Sequence, residues 1–341
     1  MRPLSRIIPL ALLTVALLVG HAHAWLRSPA TTFATFPPGA ANPEGITADP
    51  EGNIYASLFA VQEPSTNTGR VFVFAPSGKL LRRLDIAGSS PLLLGLAFRP
   101  SMHDLLVIDF GRAKVLSVDP VSATSSVFAT VTGSAGLNAL TFDSAGNVYI
   151  SDSFQGIIWK TGPTGGAATQ WVTDPSLATG GVPPFGANGL AFNQAQDALF
   201  VANTGNDTVV RIPVSAGVPG TPKVFVNSIN GADGLAIDEH DNIWVCANQA
   251  DEIVVLNGKT GQAIAKLGDF GGIDPHGAPN GLLFPASLVF SGEFLYVTNL
   301  SLDLRLFKLD FNAVDSEWAK QVTTHTVARI RARIPPAPGL P

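Results

Sequence analysis

Four side chains of the kind that bind a hard cation recur at matching places in this chain. Glu44, Asn138, Asn188 and Asp233 each open a short apolar phrase. Two carboxylates and two neutral amides would balance a divalent charge. Calcium accepts about six to eight oxygens, so four protein ligands leave room for water or substrate. No cluster of histidine and cysteine accompanies them, which argues against zinc and leaves Ca2+ (or another divalent metal) as the expected cofactor. Asn and Asp also favour turns and strand starts. One such residue would read that way, but four at one equivalent position favour a ligand ring.

The equivalence rests on a repeat. EGITADPEGNIYAS begins at Glu44, LGLAFRPSMHDLLVID at Leu94, NALTFDSAGNVYISD at Asn138 and NGLAFNQAQDALFVAN at Asn188. DGLAIDEHDNIWVCAN begins at Asp233 and SLVFSGEFLYVTN at Ser287. Starts 44 to 54 residues apart, each with a strand, a Gly/Asn/Asp turn and a second strand, are the signature of propeller blades. The expected fold is all-β, a six-bladed β-propeller of four-stranded blades. Third strands are expected at residues 71–74, 115–118, 157–160, 209–212, 253–256 and 304–309. Innermost strands line the channel of a propeller, so Glu44, Leu94, Asn138, Asn188, Asp233 and Ser287 are expected around one axis. Residues 31–36 read as an outer strand without a blade of its own, so pairing beside 304–309 would close the ring and remove an exposed edge.

Composition agrees with this reading. The chain has 341 residues, 46% of them hydrophobic and 14% charged, and its 34 glycines and 26 prolines punctuate short apolar runs. A net charge of −5 without a basic run gives no footprint for nucleic acid. Arg2 and Arg6, an apolar stretch at 7–19 and Ala22-His23-Ala24 fit a signal peptide over residues 1–24. A secreted or periplasmic protein is expected, with the propeller over 25–313 and a surface tail over 314–341. Cys246 is the single cysteine, so no intramolecular disulfide can form.

The phrases Pro43-Glu44-Gly45, Asn188-Gly189-Leu190-Ala191-Phe192 and Asp233-Gly234-Leu235-Ala236-Ile237-Asp238 resemble the SMP-30/gluconolactonase family. The ring is also similar to the catalytic calcium site of diisopropylfluorophosphatase and the paraoxonases. The resemblance covers roughly residues 30–310 and implies a divalent-metal hydrolase of lactones, esters or phosphotriesters. It implies metal ligation by Glu44, Asn188 and Asp233, with Asn138 at the metal or substrate; Asp233, able to approach both metal and attacking water, is the expected base or nucleophile. A non-catalytic NHL-like binding propeller and a metal-independent, strictosidine-synthase-like enzyme share the fold, which does not decide function by itself.

Further candidates lie around the same face. Second strands end at Asp109, Asp152, Asn203, Asn248 and Asn299, turn positions of which Asp152 and Asn203 flank ligand-bearing blades. His276, in the connection before the sixth blade, is a candidate base, and His103 and His325 are poorer ones. Phe59, Phe110, Phe154, Phe185, Phe270 and Phe284 are expected near the channel mouth, with Arg112 the cation among them. Such a mouth suits an apolar, uncharged small-molecule substrate better than a sugar acid. No partner protein is expected, and no membrane contact beyond the leader.

Overall fold

The innermost strands of the six blades are Pro43–Ala48, Leu93–Phe98, Leu137–Phe142, Ala187–Phe192, Ala232–Ile237 and Pro285–Ser291. In this computed structural model, which describes residues 28–100, 102–307 and 314–333, each packs against the next. The sixth packs back on the first, so the ring is closed. Each blade adds a second and a third antiparallel strand and an outer one. Second strands such as Ile54–Leu58 and Asn242–Ala247 are buried along their whole length, because neighbouring blades cover both faces. That explains their unbroken apolar runs. Burying each large side chain here, Trp159 and Trp244 among them, contributes about 1.5–3 kcal/mol.

The blade-closing arrangement differs from the expectation in one partner. Thr31–Thr35 is the outer strand of blade 6, pairing Thr31 with Arg329 and Thr35 with Thr326. The third strand of that blade is therefore Thr326–Arg331, not residues 304–309. Leu304–Phe307 forms a 3₁₀ turn instead. Leu300, Leu302 and Leu304 have the spacing of a strand, but they bury themselves on the channel mouth rather than in a sheet. The propeller so extends into the region expected to be a tail, and Arg329 and Arg331 are strand residues. The leader at 1–24 and the chain end beyond 333 lie outside the described residues. Among the described residues, no helix is long and apolar enough to cross a membrane.

His325 fastens the closure. Its carbonyl accepts Phe36 N–H at 2.9 Å and its Nδ1 accepts Asn42 N–H at 3.3 Å. The Asn42 amide in turn donates to Leu300 O at 3.0 Å, tying the mouth-covering segment to blade 1.

One irregularity repeats in all six blades. The register of every innermost strand shifts after its first residue, between Pro43 and Ile46, Leu93 and Leu96, Leu137 and Leu140, Ala187 and Leu190, Ala232 and Leu235, and Pro285 and Leu288. A bulge of this kind re-aims a side chain, here the second residue of each strand. The third residue pays for it in room. A Cβ on Gly45 would meet Leu94 O at 2.2 Å, one on Gly189 would meet Asp233 O at 2.5 Å, and one on Gly234 would meet Ala286 O at 2.4 Å. The register and these approaches make Ala286 the sixth ring residue. Ser287 takes the place of the bulge glycine, and its N–H donates to Thr298 Oγ1 at 3.0 Å. The ring expected to include Ser287 thus carries an apolar residue there.

Candidate functional site

The bulges bring Glu44, Leu94, Asn138, Asn188 and Asp233 to the lining of one central cavity of about 40 Å³. All five are buried. That volume accommodates an ion and a few waters.

What holds three of the ring residues, Asn138, Asn188 and Asp233, is the side chain one position past the end of the neighbouring second strand. Asn138 Nδ2 donates to Ser153 Oγ at 3.3 Å, and Asn188 Nδ2 donates to Thr204 Oγ1 at 2.9 Å. Both hydroxyls pass their own protons to carbonyls of the next blade, Ser153 to Ala187 O at 2.7 Å and Thr204 to Ala232 O at 2.8 Å. The two amide nitrogens are thereby committed, which leaves each Oδ1 for the cavity. In blade 5 the corresponding residue is Asn248, whose Nδ2 donates to Asp233 Oδ2 at 2.8 Å. In blade 1 it is Phe59, an apolar wall beside Glu44.

Two carboxylates lining this cavity have a buried oxygen without a hydrogen-bond partner, Glu44 Oε2 and Asp233 Oδ1; Asn248 Oδ1, also unpartnered, lies against Gly231. An unpaired buried acceptor costs about 1–3 kcal/mol, more if charged. Two such carboxylate oxygens beside one small space are what a hard cation would satisfy. Burial, together with the Asp233 charge, pushes the Glu44 carboxyl well above its usual range. Burial pushes Asp233 up to about 7, against the amides of Asn248 and Asn188, which favour its ionised form. The residues therefore fit calcium: two carboxylates that resist ionising alone, and amide oxygens free to join them. Among the described residues no group of three or more His, Cys, Asp or Glu is assembled, so a nitrogen- or sulfur-rich metal centre has no ligand set.

Other sequence candidates lie elsewhere. Asp152 accepts Gly136 N–H and Trp159 Nε1–H, both at 3.0 Å, and Asn203 donates to Ser176 O and Ala178 O at 2.9 Å. Both organise loops one residue short of Ser153 and Thr204, the side chains that touch the ring. Asn248, read as a turn residue, belongs with Ser153 and Thr204, because its strand stops at Ala247. Counting from the paired aromatic, Trp244 rather than Phe200, shows that one-residue offset in the sequence. His276 is exposed on a hairpin turn, with its N–H on Asp274 Oδ1, and does not reach the cavity. Arg112 is likewise outside it, donating to Gly88 O at 2.7 Å.

The apolar mouth is partly as expected. Phe59, Phe185 and Phe284 line the cavity. Phe110 and Phe154 extend the cluster outward, with ring centroids 5.4 Å from Phe59 to Phe110 and 5.6 Å from Phe110 to Phe154. Phe270 is not part of it and packs on Trp318 at 5.7 Å. Phe307, expected in a strand, joins the cluster between Phe59 at 6.2 Å and Phe185 at 6.3 Å.

A family model described as the SMP-30/Gluconolactonase/LRE-like region matches residues 93–268, just over half the chain. The chain belongs to this family. The matched region of this SMP-30/gluconolactonase/LRE-like protein spans blades 2 to 5 and contains Asn138, Asn188, Asp233 and Asn248. Glu44 and the closing blade lie outside it. Among solved structures, a luciferin-regenerating enzyme matches with a TM-score of 0.63 at 16% identity, over 89% of this chain and 95% of its own. A calcium-binding protein, regucalcin from Agrobacterium tumefaciens, matches with a TM-score of 0.62 at 17% identity, over 91% and 98%. A streptogramin B lyase matches at 0.56 and 15%, over 82% and 83%. These likenesses establish the shared fold. No curated protein sequence matches the chain at a significant level.

Proposed function

We propose that this propeller is a calcium-dependent hydrolase of an apolar lactone or related ester. The observation that carries the reading is the pair of unpaired buried carboxylate oxygens, Glu44 Oε2 and Asp233 Oδ1, on residues that line one cavity. Glu44, Asn138, Asn188 and Asp233 would hold the ion. Bound calcium supplies a Lewis acid that polarises a carbonyl and offsets charge developing on its oxygen. Membership of the family and the fold shared with a calcium-binding regucalcin support this assignment.

The chain's own residues would do the rest. Asp233 is anchored through Oδ2 by Asn248, so its other oxygen, Oδ1, is the one that can take a proton from an attacking water. An alternative role for the same atom is direct attack on the carbonyl. Asn138 and Asn188, fixed by Ser153 and Thr204, would orient the substrate oxygen. Phe59, Phe185 and Phe284 would exclude water and accept an apolar chain. A leader at the N-terminus would export the enzyme.

Elemental analysis of the purified protein, joined to a lactone and aryl-ester screen with and without chelator, tests the proposal. Near-stoichiometric calcium and chelator-sensitive hydrolysis are expected. Protein free of divalent metal after purification in calcium would point instead to a binding propeller or a metal-independent enzyme.

A further inference from the structure

On the face opposite the ring, between the outer parts of blades 4 and 5, lies a cleft of about 720 Å³. Its size falls within the range of small-molecule sites. Arg211, Lys223 and Lys259 all line it. Among the described residues none of the three has an ion pair or a side-chain hydrogen bond, although most cations of the chain do. They are far apart in sequence and meet only in the fold.

Comparison between blades shows that their lack of partners is specific to this place. In blade 1 Arg82 donates to Tyr55 Oη at 2.9 Å, and Tyr55 donates to Asp49 Oδ2 at 3.3 Å. In blade 3 Lys160 sits 4.9 Å over the Tyr149 ring and 4.0 Å from Asp143, to which Tyr149 Oη donates at 3.0 Å. Each of these blades has one cation there and a tyrosine–aspartate pair to meet it. Blade 4 has two cations, Arg211 and Lys223, directly opposite one another across the third and fourth strands. In place of the tyrosine and aspartate it has Phe200, paired with Arg211, and Asn193. Like charges in register destabilise a sheet, and here the usual partners are missing as well.

We infer that this cleft binds a small oxyanion carrying an apolar group. Arg211 offers a planar fork for two oxygens of a carboxylate, phosphate or sulfate, and the two lysines add charge. Pro213, Val224 and Phe225 provide the apolar floor beside them. Two carboxylates also reach the cleft, and both are already engaged by neighbouring turns. Asp197 Oδ1 accepts Asn193 Nδ2–H at 2.8 Å, and Asp241 Oδ1 accepts Gln194 N–H at 2.8 Å. The site lies apart from the central ring and stands or falls independently of calcium and hydrolysis.

The test uses the full calcium-loaded protein at low ionic strength and follows binding calorimetrically with octyl sulfate, inorganic sulfate and 1-octanol as probes. Octyl sulfate is expected to saturate one site per chain, sulfate to bind more weakly to the same site, and octanol not to compete. Arg211→Gln should weaken octyl sulfate at least about tenfold. Lys79→Gln, which removes an unpaired cation from blade 1, should leave binding unchanged. The melting temperature of Arg211→Gln should stay level or rise, since the variant relieves repulsion with Lys223. Absence of saturable binding, equal binding by Arg211→Gln, or displacement by octanol as effective as by sulfate would each overturn the assignment.

Discussion

Asn248 holds Asp233 by one oxygen and frees the other: Nδ2 donates to Asp233 Oδ2 at 2.8 Å, while Asp233 Oδ1 is buried without a partner. Asn248 is thus a positioning residue for Asp233, its own Oδ1 lying against Gly231. Asn248→Leu should keep the fold and weaken calcium by about 10–100-fold, as loss of an outer partner commonly does. Calorimetric calcium titration of the chelator-treated variant checks this, and unchanged affinity would remove Asn248 from the site.

Without calcium, the buried carboxylates should make stability fall as pH rises. Asp233 titrates at about 7 in the folded chain and near 3.9 when unfolded. Between those values the folded state holds the extra proton, so stability declines with increasing pH and is lost through about 7. Glu44, also raised, acts in the same direction. Thermal melts of chelator-treated wild type and Asp233→Asn should diverge across this window in favour of the variant, and saturating calcium should remove the divergence.

His325 gives the opposite slope. Burial lowers its imidazole to about 4, whereas the unfolded residue titrates near 6.5. Its contribution is complete above 6.5 and is lost as pH falls toward 4, because the unfolded chain then binds more protons. In the calcium-loaded protein, wild type should lose stability over that range more steeply than His325→Asn. Parallel curves would show that His325 does not titrate there.

Phe307 packs between Phe59 and Phe185, two rings that line the cavity, and so narrows the way in for the proposed substrate. Phe307→Ala should raise kcat/KM for bulky lactones more than for small ones, with calcium affinity unchanged. A uniform fall in kcat/KM for all substrates would assign Phe307 to substrate binding instead.

The repeat and the four oxygen-bearing ring positions are legible in the sequence because their turns and second strands recur with nearly constant spacing. The errors come from places where the repeat is locally broken. Blade 6 lacks the bulge glycine, so matching its phrase by apolar residues selects Ser287, one residue past Ala286. The first hairpin of blade 5 is one residue shorter than that of blade 4, so aligning the two phrases sets Asn248 beside Asn203 and hides its kinship with Ser153 and Thr204. Leu300, Leu302 and Leu304 keep the period of a strand, yet they cover a channel mouth that sequence periodicity cannot represent. His276 and Phe270 share the connection before blade 6, and only the hairpin there decides that it folds away from the cavity.

The most direct measurement of the central claim is the rate of alkyl-lactone hydrolysis against free calcium, for wild type, Glu44→Gln and Asp233→Asn. Wild-type activity should rise from nothing in chelator to a plateau. Glu44→Gln should reach much of that plateau at higher calcium, because it acts through affinity. Asp233→Asn should remain about a hundredfold or more below it at saturation, because base catalysis is lost. Hydrolysis that persists undiminished in chelator, or full recovery of Asp233→Asn at saturating calcium, would contradict the account.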